Sequence, residues 1–180
     1  MHSDILILKS FFNIEEAKNY YLDKKHLEDD FTLYSTDYGV EDDCDYIDYR
    51  ECLYDNYDEV LEELTNKNSY FLKCGIKHIK DGIFEFDLSE IEKNLNNKIT
   101  NLKQMISKLL GNLNIGNLID TCSLINLEVE NFGGLKIYDL NSKYAYTKDS
   151  EEYFADILNI SKKENTKIYF VPVTILDYHF

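Results

Sequence analysis

Eight apolar residues, Leu88, Ile91, Leu95, Ile99, Leu102, Ile106, Leu109 and Leu113, recur at intervals of three or four. A long amphipathic helix is the element that gathers such a series onto one side of the chain. Asp87-Leu-Ser-Glu90 precedes the series and predicts a capping box, with the Asp87 carboxylate and the Glu90 side chain satisfying reciprocal backbone donors. Gly111 or Gly116 then stops the helix. Covering a sheet is the commoner use of such a stripe; a dimer seam is the other.

Directly upstream, the runs 70–79 and 83–87 flank Lys80-Asp81-Gly82. Asp-Gly between two apolar runs predicts a tight hairpin over about residues 69–87, with the glycine supplying a positive φ. Residues 4–8 read as a buried strand. Asn13 then caps a helix over 14–22, and Glu15 and Glu16 suit the positive end of its dipole. A further helix is expected over 57–67, strands over 124–129 and 135–140 around a turn at 132–134 and again near 144–146, and a helix from Ser150 to about residue 160. The closing strand, 167–176, contains Pro172, which has no N–H for a ladder and so predicts an edge or a bulge.

No internal repeat or Pro/Gly/Ser-rich linker divides the chain. The expectation is α+β: a single domain over 1–180 with a mainly antiparallel sheet, a hairpin covered by the helix at about 88–111, and two or three shorter helices. With 180 residues and a hydrophobic fraction of 44%, the chain has material for a core of ordinary size. No run approaches the ~20 apolar residues of a membrane span, and the first residues do not read as a secretory leader. Cys44, Cys52, Cys74 and Cys122 lie far apart, a pattern expected of reduced thiols in the cytoplasm of a bacterial or an infected host cell. Arg50 is the single arginine and Trp is absent, the bias of an AT-rich coding sequence such as that of a low-GC bacterium or its mobile elements.

The net charge of −15 is not spread evenly. Residues 28–63 hold fifteen acids (Glu28, Asp29, Asp30, Asp37, Glu41, Asp42, Asp43, Asp45, Asp48, Glu51, Asp55, Asp58, Glu59, Glu62 and Glu63) against Arg50 alone. Tyr34, Tyr38, Tyr46, Tyr49, Tyr54 and Tyr57 are interleaved with them. Carboxylates draw in a cationic surface, and tyrosines add contact area at low entropic cost. The residues expected to meet a partner are Asp37, Tyr38, Glu41, Asp42, Asp43, Asp45, Tyr46, Asp48, Tyr49, Glu51, Tyr54, Asp55, Asp58 and Glu59. A solubilising surface with no partner is the plainer reading of the same charges.

Other chemistries fit less well. Asp42, Asp43, Asp45 and Asp48 crowd hard oxygen donors together but lack the alternation, glycine and closing glutamate of a calcium loop. Cys74 and His78, with Cys44 and Cys52, match no zinc spacing. Cys122 with His26, His78 or His179 has no nucleophile context, phosphate-binding glycine patterns are missing, and no basic stripe serves nucleic acid.

The expectation is therefore a non-enzymatic acidic protein that occupies the cationic surface of a nuclease or other nucleic-acid-handling protein, in the manner of toxin-immunity proteins and phage-borne anti-CRISPR or anti-restriction inhibitors. No catalytic residue, metal or cofactor is expected, and neither direct nucleic-acid binding nor a membrane. The alternatives are a divalent-metal-dependent enzyme using the Asp42 to Asp48 carboxylates, and a scaffolding subunit that dimerises through the 88–113 helix.

Overall fold

The computed structural model describes residues 2–36, 49–67, 69–112, 114, 116, 118–130, 135–141 and 148–179. Their elements run β1 (His2–Phe11), α1 (Ile14–Leu22), α2 (Lys24–Thr36), β2 (Tyr49–Cys52), α3 (Tyr57–Thr65), α4 (Tyr70–Lys73), β3 (Ile76–Lys80), β4 (Ile83–Phe86), α5 (Leu88–Gly111), α6 (Leu118–Glu130), β5 (Leu135–Asp139), β6 (Lys148–Asp149), α7 (Ser150–Glu164) and β7 (Tyr169–His179). The strands form one α+β sheet in the order β3-β4-β7-β1-β5-β6, with β2 also on β7. Among the described residues only β1 and β5 pair in parallel.

The sheet is buried on both faces, which is why Ile5 to Leu8 of β1 form an unbroken apolar run. Leu6 and Leu8 enter one cluster with Phe84, Phe86, Phe170 and Ile175, over which lie Val60 and Leu64 of α3, Phe71 of α4, Ile91 of α5 and Phe154 and Ile157 of α7. Ile5 and Ile7 point the other way, with Val173, Leu176 and Tyr138. Ala17 and Tyr20 of α1 and Leu27 of α2 cover Ile83 and Val171.

Phe170 and Ile175, five residues apart, share a cluster, whereas strict alternation would put them on opposite faces. The register shift opposite Ile7 and Leu8 removes one residue from the alternation at Pro172 to Thr174. The proline thus sits at a bulge, as its missing N–H requires. The strand itself is interior, not an edge: β1 lies along one side, and β4 and β2 share the other, at Tyr169 and Phe170 and at Leu176 to His179.

Several expectations hold. Asn13 caps α1 by accepting from the Glu15 N–H at 2.8 Å, and α5 spans the range read from its stripe. The hairpin is shorter than expected, because residues 70–73 form a helical turn and Gly75, at φ 101, starts the chain into β3. At its tip Asp81, not Gly82, carries the positive φ of 53. Gly82 is favoured for a different reason, since a Cβ there would clash with a ring carbon of Tyr21 and stand 2.8 Å from the Tyr57 hydroxyl.

The capping box is half made. Asp87 accepts from the Glu90 N–H at 3.1 Å, but its own N–H goes to the Gly75 carbonyl at 2.8 Å, and Glu90 turns to Lys93. The strand expected over 124–129 is instead the second half of α6. Short apolar runs do not discriminate the two periods, and here the helical spacing of the preceding residues prevails. Ser150 is the first residue of α7 and Asp149 its cap position. The expected turn at 132–134 and strand at 144–146 lie outside the described residues. No described helix is long and apolar enough to cross a membrane.

Candidate acidic groove

Asn56 accepts from the Glu59 N–H at 3.1 Å, and this cap starts α3. The Glu59 carboxylate reaches back, with Oε2 accepting from the Asp55 N–H at 3.0 Å and Oε1 from the Asn56 side-chain amide at 2.9 Å. Asp23 begins α2 similarly, accepting from the His26 N–H at 3.1 Å. The two starts lie close together, and a groove of about 560 Å³ opens between them.

Leu27, Phe31 and Tyr57 supply its apolar lining, and Glu28, Asp55 and Asp58 its charge. All three acids are exposed. Lys24 is the base at the groove, and its Nζ sits 3.6 Å from the centroid of the Tyr21 ring and 5.9 Å from that of Tyr57. The ammonium is thus stacked on aromatic faces and makes no ion pair with the three carboxylates among the described residues. A guest cation finds three acids on a rim, with an aromatic floor for the stem that carries it.

Not every acid of the stretch is available in this way. Asp30 accepts from the Tyr20 hydroxyl at 2.5 Å and lies 3.5 Å from His26 Nε2. Burial, then that hydrogen bond, holds the Tyr20 hydroxyl far above the usual phenol range. Glu59 is occupied by the cap. Tyr57 has its hydroxyl buried without a hydrogen-bond partner among the described residues, and burial again raises it.

Of the expected contact residues, the groove brings together Asp55 and Asp58. Glu59 lies beside it as a capping group, and Tyr54 is half-buried against the main core, its hydroxyl raised first by burial and then by Glu63, Asp4 and Glu59. Tyr49 and Glu51 are in β2, paired with His179 and Asp177. Asp37, Tyr38, Glu41, Asp42, Asp43, Asp45, Tyr46 and Asp48 lie outside the described residues. Glu28, Leu27, Phe31 and Asn56 were absent from the sequence-derived set. The spacing of Leu27, Phe31 and Tyr34 was the signal that could have found α2, and with it the groove wall.

Among the described residues no three His, Cys, Asp or Glu side chains are placed to hold a metal ion. Cys74 is half-buried and Cys122 exposed, both as thiols. No protein-family model, no curated protein and no solved structure matches the chain.

Proposed function

We propose that this protein is a non-enzymatic acidic binding protein of the cytoplasm that neutralises a nucleic-acid-handling protein by covering its cationic surface. The observation that carries the reading is the convergence of Glu28, Asp55 and Asp58 on one groove floored by Leu27, Phe31 and Tyr57, within a stretch of fifteen acids and one base. A surface that binds phosphate presents lysine and arginine, whose charged heads pair with carboxylates and whose stems lie on aromatic rings. Concentrated charge speeds encounter with such a surface, and buried aromatic contact slows release. Nuclease immunity and phage-borne inhibition of restriction or CRISPR systems are the classes that need this combination.

The test is capture from a bacterial extract freed of nucleic acid by nuclease digestion. Immobilised wild type should retain basic nucleic-acid-binding proteins that elute with salt, and Glu28→Gln/Asp55→Asn/Asp58→Asn should lose them. Retention of the same set by both columns, or a retained set that is not basic, would defeat the proposal.

A further inference from the structure

Five of the eleven exposed large apolar side chains among the described residues lie on α5 and α6: Ile99, Leu110, Leu118, Ile119 and Leu124. The length of α7 explains why the end of α5 is uncovered. α7 runs antiparallel to α5, tied to it by Lys162 to Glu92 at 2.7 Å and, near the α7 start, by Lys98 to Glu151. Beyond Lys98, α5 has outrun α7. Its last 13 residues extend about 20 Å further, with α6 packed beside α5.

Neither helix of this hairpin is finished on its outer side. Ile99, Lys103, Ile106 and Leu110, spaced four, three and four apart, form one stripe along α5. On α6, Ile119 and Leu124 point about 100° and about 240° around the axis from Leu118, while Thr121 is the buried position. Exposed apolar side chains gathered in one region mark an interaction surface. Ile119 is 79% exposed.

The charges of the hairpin are segregated by helix. Past Glu92, α5 carries Lys93, Lys98, Lys103 and Lys108 and no acid, whereas α6 opens with Asp120 in its first turn. Lys93 and Lys98 pair with Glu90 and Glu151. Lys103, Lys108 and Asp120 make no ion pair among the described residues.

We propose that the hairpin docks on the same hairpin of a second copy, forming a four-helix bundle about a two-fold axis parallel to the helices. That axis sets the lysine-bearing α5 of each copy against α6 of the other, and it places Lys108 level with Asp120 of the second copy, because both sit within a turn of the hairpin tip. The alternative axis, across the helices, would oppose lysines to lysines. The proposal goes beyond the acidic groove and does not depend on it.

Sedimentation equilibrium of the full chain tests it. Wild type should show a mass twice 21.2 kDa, and Ile119→Asp should weaken the dimer tenfold or more while leaving the circular dichroism unchanged. Lys108→Glu and Asp120→Lys should each weaken it several-fold. An equimolar mixture of those two variants should recover wild-type affinity, since both α5–α6 faces of the mixed dimer are then complementary. A monomer at about 100 µM, a dimer indifferent to Ile119→Asp, or a mixture no tighter than its components would each overturn the proposal. Failure here leaves the capture experiment unaffected, and the converse holds.

Discussion

Replacing Glu59 by alanine separates acids that hold the fold from acids that face solvent. The substitution removes two acceptors, at 3.0 Å to the Asp55 N–H and 2.9 Å to the Asn56 amide. Exposed hydrogen bonds to a charged acceptor contribute about 0.5–1 kcal/mol each, and a first-turn carboxylate adds about 0.3–1 kcal/mol through the helix dipole. Against this, Glu63 stands one turn further along α3, and relief of like-charge repulsion returns about 0.2–0.5 kcal/mol. The net loss is about 1–3 kcal/mol, and for a chain of this size about 2–4 °C in Tm per kcal/mol.

Glu28→Gln removes a groove carboxylate that makes no hydrogen bond among the described residues, and so should leave Tm unchanged or raise it slightly. Scanning calorimetry of both variants at low and high salt decides the matter. The reasoning fails if Glu59→Ala is as stable as Glu28→Gln, because the cap would then contribute nothing beyond its charge.

Gly75→Ala should cost about 2–4 kcal/mol in urea unfolding, combining a disfavoured φ with overpacking, because the added methyl would stand 3.0 Å from the Ile91 backbone nitrogen. Asp87 is held below the usual carboxylate range by the Ser89 hydroxyl and then the Glu90 N–H. A depressed folded pKa stabilises above the unfolded value, so the gap between wild type and Asp87→Asn should be full above about pH 4 and close as pH falls through the folded value. Tyr153→Phe removes the 2.8 Å hydroxyl donor to buried Asp139, and equilibrium unfolding should register about 1–3 kcal/mol.

How much of this was legible in the sequence depended on whether one period dominated a segment. The stripe from Leu88 onward and the caps at Asn13 and Asp87 declared themselves, because each is a local device read from a few residues. The helix α2 did not. Its charges, Glu28, Asp29 and Asp30, drew the reading toward an undivided acidic segment, although Leu27, Phe31 and Tyr34 carried a helical spacing underneath. Residues 124–129 alternate well enough to pass for a strand, and nothing local to them shows that α5 offers a helical neighbour.

Likewise, Pro172 announced an edge or a bulge without deciding between them, and an interior place for β7 depends on β2 and β4, whose approach from distant parts of the chain no short motif encodes. The groove shows the same division. Acid content was visible residue by residue, whereas the partition into capping Glu59, tyrosine-bound Asp30 and available Glu28, Asp55 and Asp58 follows from where α2 and α3 begin.

The most direct trial is the association rate of the captured partner with wild type and with Glu28→Gln/Asp55→Asn/Asp58→Asn, followed by stopped flow across a salt series. If carboxylates on this groove steer a cationic surface, neutralising them slows association several-fold in dilute salt, and the two curves converge above about 0.5 M, where the screening length falls to a few ångströms. Superimposable rates at every salt concentration would mean that these acids take no part in recognition.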